Sequence, residues 1–333
     1  MKFLVIRFSS IGDIIFTTPV IRCLKKQVPG AEIHFLSKKN FKPVTEHNPY
    51  IDKFYYFESD LDSLIEELRK ENYDYIIDLH KNFRSYKIRR SLKCKSLSYR
   101  KLSVQKFLLT KLGINLMPGR HIVLRNLDTV APLGVIPDSG ELDYFIGKED
   151  AVPIDDLPAS HSFGYIGIVI GASYKTKKLP VHKLQELCKL IEHPIVLLGG
   201  KEEVAEGEAI ASADPIKIYN ACGKFTLNQS AYLVKKAKLI ISHDTGLQYI
   251  ASAFQKPTLA IWGGTSPKLD VEPWYGNRPA TNLYRNFVVE GLSCQPCSNY
   301  GTKECPQKHF KCMEQQDLRE IAALAQNWAK QLR

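Results

Sequence analysis

Residues 242–267 read SHDTGLQYIASAFQKPTLAIWGGTSP. The stretch parses as a strand end, a tight turn at Asp-Thr-Gly, a helix, and a second strand closing on Gly-Gly. Short apolar runs that hand over to helices mark strands buried on both faces of a parallel sheet. A strand-to-helix junction also collects free backbone N–H groups and the positive end of the helix dipole, so it suits an anion. The stretch therefore decides for a parallel α/β fold and asks which anion it serves.

Working outward, the same alternation fills the chain. On the N-terminal side, KFLVIRF is a strand, SSIGD a loop and residues 14–27 a helix. AEIHFL, residues 53–57 and YDYIIDL follow as strands. Between the last two, DLDSLIEELRKE has helical spacing, with Asp60 as its N-cap. The Asp60–Leu61–Asp62 triplet resembles an Asp-x-Asp metal motif, but at a helix start it reads as a cap. Residues 128–163 are rich in Pro, Gly and Asp and read as an irregular linker with a short edge strand. Beyond it come strands in GYIGIVIGAS, PIVLLGG, IKIYNA, KLIISH and PTLAIWGG. Helices lie in VHKLQELCKLIE, EEVAEGEAIAS, TLNQSAYLVKKA and GLQYIASAFQ, and a last one spans 316–332. Such βαβ series imply two Rossmann-like domains, 1–155 and 156–333. SSIGD, GASYKTKKLP, LGGKEE, ACGKFT, HDTG and WGGTSP all fall at strand C-terminal ends. Ligands bind there in open α/β sheets, which points to an interdomain cleft.

The chain has 333 residues, 44% of them hydrophobic, enough for two cores. No apolar run reaches the roughly 18–20 residues that span a bilayer. MKFLVIRFSS reads as a first strand and not as a signal peptide, so a cytoplasmic location is expected. The net charge is +11, and residues 79–127 hold 13 Lys and Arg and no acidic residue. A one-sign field of this kind attracts anionic partners. No zinc-finger, RRM or helix-turn-helix signal accompanies it, which argues against nucleic acid.

The loops carry the candidate chemistry. Gly12 lets the chain turn after the first strand and places Asp13 at a helix start. That carboxylate reads either as a cap or as a general base for a hydroxyl. In GASYKTKKLP, Ser173 and Thr176 are candidate hydrogen-bond donors to phosphate, with Lys175, Lys177 or Lys178 supplying charge. Thr245 and Gly246 open a helix and offer orphan N–H groups. Asp244 caps the turn or accepts from a ligand hydroxyl. The Walker A, G-x-G-x-x-G and G-x-S-x-G patterns are absent, which argues against a P-loop enzyme, a dinucleotide enzyme and an α/β hydrolase.

RFSSIGDIIFTTP, SYKTKKLP, LLGGKEE and HDTGLQYIASAFQKPTLAIWGGT together resemble glycosyltransferase family 9, the ADP-heptose:lipopolysaccharide heptosyltransferases, in the right order over most of the chain. The resemblance implies a GT-B fold, an acceptor domain at the N-terminus and a nucleotide-sugar donor domain at the C-terminus. It implies inverting, metal-independent transfer with no catalytic cofactor. Asp13 resembles the base, and Lys177 the lysine on the donor diphosphate. Ser173 matches a phosphate contact, Glu202 falls near the ribose-binding acid, and Asp244, Thr245 and Gly246 match the motif against the donor. Ser10, Gly12, Arg84, Lys87, Arg89 and Arg90 are then expected to hold an anionic glycolipid acceptor. The wider basic stretch is expected to meet an anionic membrane surface, on the inner face of the inner membrane. Tyr249 stands where the family often has His, and Leu179 where it often has Trp. These leave the donor sugar open between heptose and another. The alternatives are a nucleotide-sugar enzyme of another class, epimerase-like, and a non-catalytic binding homologue.

CQPCSNYGTKECPQKHFKC places Cys294, Cys297, Cys305 and Cys312 as C-x2-C-x7-C-x6-C. Four thiols at such spacing suit structural zinc or an iron–sulfur centre, with His309 as a substitute ligand. Reduced structural cysteines are the alternative. Cys23, Cys94, Cys188 and Cys222 sit in apolar contexts and read as core.

Overall fold

The computed structural model describes residues 1–138, 140–276 and 283–331. It divides into two units. The first is built mainly from Met1–Leu102 and Arg120–Phe145. The second is built from Ser103–Gly119, Ile146–Tyr275 and the C-terminal segment.

The first unit holds a parallel sheet of β1 (Lys2–Ile6), β2 (Glu32–Lys38), β3 (Lys53–Phe57), β4 (Tyr75–Asp78) and β5 (Lys95–Ser98), in the order β3-β2-β1-β4-β5. Phe3 of β1 faces Ile33 on one side and Tyr75 on the other. Phe3, Leu4, Val5 and Ile6 are fully buried, as a strand covered on both faces requires. Asp60 caps the helix Leu61–Arg69, accepting from the Asp62 and Ser63 amides. The expected helix over 14–27 is two, Ile11–Ile15 and Thr18–Gln27. Pro19 explains the break: it has no N–H to continue a helix and is tolerated only in a first turn.

The second unit's parallel sheet has β6 (Ile166–Val169), β7 (Ile195–Leu198), β8 (Ile218–Asn220), β9 (Leu239–His243), β10 (Thr258–Ile261) and β11 (Tyr284–Phe287). Its order is β11-β10-β9-β6-β7-β8. Counted within its own unit this is 3-2-1-4-5-6 read from the far edge, the doubly wound order. One apolar cluster packs Ile168, Leu184, Leu187, Ile241 and Leu259 with Ile321 and Ala325 of the last helix, Leu318–Gln331. Leu332, where the sequence ends that helix, lies outside the described residues.

Two strands and one connection depart from the sequence reading. β5 (KSLS) and β11 (YRNF) are edge strands. An edge is half wet and carries charge, so neither shows an apolar run. The edge strand expected within 128–163 is not among the described residues. Short 3-10 turns at Ala131–Leu133, Lys148–Asp150, Ile154–Asp156 and Ala159–His161 stand there, as Pro and Asp favour.

In each sheet the strand order reverses beside the first strand, between β1 and β4 and between β6 and β9. Those switch points are where a doubly wound sheet opens a ligand crevice.

Candidate active site

In the first unit, the loop after β1 carries Asp13. Ser10 precedes the helix Ile11–Ile15, and Asp13 reaches back to it. Asp13 Oδ2 accepts from the Ser10 amide at 3.1 Å and from the Ser10 hydroxyl at 2.8 Å. Asp13 Oδ1 lies 2.6 Å from the Arg7 guanidinium, and 29% of the Asp13 side chain stays exposed. Burial pushes this carboxyl up, but Arg7 and the two Ser10 hydrogen bonds outweigh it and hold it below the usual range. Arg7 is itself buried at the end of β1, with Nε on the Ser9 carbonyl at 2.9 Å and Nη1 on the Leu79 carbonyl. Asp13 is therefore an ionised carboxylate at a switch point, in place to accept a proton from an approaching hydroxyl. Gly12 is buried inside the short helix and is not the turn residue the sequence suggested.

The loop after β4 supplies the facing wall. Fully buried Asp78 accepts from the His80 and Lys81 amides at 3.0 and 2.7 Å, and Arg89 Nε lies 3.2 Å from its other oxygen. Burial, helped by the charge of Arg7, lowers His80 to about 4, so its imidazole is neutral. The expected acceptor cations separate. Arg89 is a brace between Asp78 and the Ser98 hydroxyl, and Lys87 pairs with Asp62 at 2.6 Å. Arg84 is exposed over the Phe57 ring, and Arg90 is exposed. Both remain accessible to an anion.

In the second unit the loops after β6 and β9 meet. Lys177 Nζ lies 2.8 Å from Asp244 Oδ2. The Tyr249 hydroxyl lies 2.7 Å from Asp244 Oδ1 and 3.0 Å from the Val271 carbonyl, so its one proton is shared between two acceptors. Thr245 and Gly246 begin the helix Gly246–Ala253, whose first amides have no intrahelical partner. Ser173 is exposed on the same loop as Lys177. Thr176 is placed differently from its sequence reading as a phosphate donor. It is buried, its hydroxyl accepts from the Thr302 amide at 2.7 Å, and it donates to the Thr302 carbonyl at 3.0 Å. Glu202 is exposed, while its neighbour Glu203 is buried and pairs with Lys178 at 3.3 Å. Leu179 packs in the apolar core.

Sequence reasoning overlooked Arg7, His80, Glu203 and His243. His243, fully buried at the end of β9, accepts from the Leu179 amide on Nε2 at 2.9 Å. Burial, then the charges of Lys178 and Lys177, lowers it to about 3. A charged residue closing an apolar run, as in FLVIR or LIISH, was the available signal.

The cysteine-rich segment is not an appendage. Its Thr302 holds Thr176, and the Cys297 and Ser298 amides donate to the Gly264 carbonyl at 3.0 and 3.1 Å. Gly264 in turn donates to the Thr176 carbonyl at 2.7 Å. At Gly263 a Cβ would fall 2.3 Å from that carbonyl, so only glycine allows the approach. The four thiols are free and close enough to act on one another: burial, then Cys297, Cys305 and Cys294, pushes Cys312 up to about 12. Cys294 Sγ lies 3.8 Å from His309 Nε2. Among the described residues no three thiol sulfurs lie within 4.8 Å of one another. Four thiols, or three with the His309 imidazole, would suit a tetrahedral ion in type and number.

The chain is similar to known proteins in sequence and in fold. The family model described as glycosyltransferase family 9 (heptosyltransferase) matches residues 61–309. The chain is similar to lipopolysaccharide heptosyltransferase 1 of Campylobacter coli, 30% identical over 323 residues that cover 87% of this chain and 89% of the relative. In fold it is similar to the crystal structure of a family 9 glycosyl transferase from Veillonella parvula, with a TM-score of 0.76 and 19% identity over 99% of this chain and 97% of the other. It is also similar to E. coli ADP-heptose lps heptosyltransferase II, with a TM-score of 0.71 and 20% identity over 97% and 98%. Its two parallel sheets are thus those of the GT-B fold, and the chain is a glycosyltransferase that belongs to family 9, the heptosyltransferases.

Proposed function

We propose that this protein transfers heptose from ADP-heptose to the core of a lipopolysaccharide or a related surface glycan, with inversion and without a metal. The observation that carries the proposal is Asp13, held ionised by Arg7 and Ser10 while its edge stays open to solvent. Asp13 takes the proton of an acceptor hydroxyl as that oxygen attacks the anomeric carbon. The C–O bond to the diphosphate breaks on the opposite side and ADP leaves. A base kept low in pKa suffices when the proton moves late, with the oxygen already bonding to carbon.

The leaving diphosphate is received in the second unit by Lys177, Ser173 and the Thr245 and Gly246 amides, with Asp244 accepting from a donor hydroxyl. Glu202 is assigned to a ribose hydroxyl, since its side chain is exposed on the loop after β7. Thr176 shapes this loop from within. Lys177 exchanges its Asp244 partner for phosphate when donor binds. The relatives named above support heptose over another sugar. The acceptor is an anionic glycolipid met by Ser10, Arg84 and Arg90. The enzyme works on the cytoplasmic side, adsorbed to the inner leaflet.

Calorimetric titration with ADP, UDP and GDP in EDTA tests this reading. ADP is expected to bind, and Lys177→Ala to weaken it about 10–100-fold, the worth of a charge-assisted hydrogen bond. A preference for UDP or GDP sinks the ADP-heptose donor, and a requirement for added metal sinks metal independence. We further propose that Cys294, Cys297, Cys305 and Cys312 hold structural zinc or an iron–sulfur centre. Elemental analysis of freshly purified protein with neither zinc nor iron removes that assignment.

A further inference from the structure

Half of the exposed large apolar side chains among the described residues fall in one tenth of the chain. Phe83, Tyr86, Val104, Phe107, Leu112, Ile114 and Leu116 account for seven of the fourteen. All seven lie in the stretch that has no acidic residue. The last five form a continuous feature of the second unit, the helix Ser103–Leu112 and the turn after it.

That helix is inside out. At 100° per residue, Val104, Phe107, Leu108 and Lys111 lie on one side, with Leu112 beside them. Val104, Phe107 and Leu112, with Ile114 and Leu116 after the helix, are between 49% and 67% exposed. Leu109, on the opposite side, is the helix's one buried residue. With Lys111 and Leu112 at the end of the helix, it walls a cavity of about 810 Å³ shared with Cys294, Cys297 and His309. Val104 and Phe107 thus look outward, and Leu112 stands at the cavity's open rim with much of its surface exposed. The turn holds its shape through the Ile114 amide on the Leu108 carbonyl at 3.1 Å and the Met117 amide on Asn115 at 3.1 Å.

We propose that residues 104–116 lie in the plane of an anionic bilayer, with Val104, Phe107, Leu112, Ile114 and Leu116 in the acyl boundary and Lys106 and Lys111 among the headgroups. Charge complementarity selects lipid as the occupant: apolar tips flanked only by cations match acyl chains beneath phosphates. The helix has ten residues, and none described is long and apolar enough to cross a membrane, so it rests on the surface. The choice of bilayer rests on the membrane-borne acceptor proposed above, and the test needs neither donor nor acceptor.

The test is sedimentation of the full chain with vesicles of phosphatidylethanolamine and phosphatidylglycerol. Phe107→Ser/Leu112→Ser is expected to weaken binding at least about tenfold, with circular dichroism and ADP affinity unchanged. High salt is expected to weaken wild-type binding without abolishing it and to abolish that of the variant, because only the headgroup contacts are screened. Phe107→Trp is expected to gain a tryptophan signal quenched by lipids brominated on the acyl chains. Wild-type affinity in the double variant, or no quenching at Trp, overturns the proposal. So does a self-associating wild type that the variant returns to monomer while neither binds vesicles, which would make a second copy the occupant. Vesicle binding of this pattern in a protein that fails to use ADP-heptose keeps this inference and removes the function proposed above.

Discussion

Asp13 and Lys177 solve opposite problems with the same device, a buried or half-buried ion pair. Arg7 holds the Asp13 carboxylate in its charged form, and Asp244 fixes the position of the Lys177 side chain. Asp13→Asn preserves the Ser10 contacts in outline but removes the proposed base. It is expected to lower kcat by about 10²–10⁴-fold with ADP affinity unchanged. Steady-state kinetics alongside calorimetry checks this, and near-normal turnover would move the base elsewhere. The sequence drew attention to Asp13 and Asp244 because each stands in a loop that ends an apolar run, while Lys177 was singled out from its neighbouring lysines by the family resemblance. Arg7 and His243 were not, since within RF and SH they read only as the strand's polar end. Their partners, the Leu79 carbonyl and the Leu179 amide, are more than sixty residues away in sequence.

At the scale of elements, His243 ties the end of β9 to the loop after β6 that bears Lys177. The tie uses a neutral imidazole, because Nε2 must keep a lone pair for the Leu179 amide. Its folded pKa of about 3 lies below the ordinary value near 6.5. Between those values the unfolded chain binds the proton and the folded chain does not. Stability from this group is therefore complete above about pH 6.5 and falls as pH drops toward 3, by about 1.4 kcal/mol per unit. His243→Gln, which keeps an acceptor but cannot titrate, is expected to flatten that slope in denaturant melts from pH 7 to 4. Parallel slopes would show that His243 does not set it. The central strands were legible because they are mostly apolar, though their order in the sheet was not. β5 and β11 escaped notice because edges carry Lys, Ser, Arg and Asn.

For the whole molecule, both units repeat one winding but offer different groups at the switch point, a carboxylate in the first and lysine with helix amides in the second. ADP alone should therefore act on one of them. At about a hundredfold its Kd it adds about 2.7 kcal/mol to the state that holds it. Hydrogen exchange with ADP is expected to slow in the loops after β6, β7, β9 and β10 and to leave the Arg7–Asp13 segment unchanged. Protection confined to that segment would assign the nucleotide to the first unit. The return of residues 103–119 to the second unit was not legible, because a helix with its apolar face outward gives no sign of which core it borders.

The clasp between Thr176 and Thr302 spans 126 residues. During synthesis at about 5–20 residues per second, the lysine loop emerges some 6–25 seconds before the segment that fixes it. Until Thr302 leaves the ribosome, every strand from β6 to β11 has been made while the lysine loop stays unclasped. A nascent chain cut short in its last tenth would lack both the clasp on the lysine loop and the last helix that packs against the sheet.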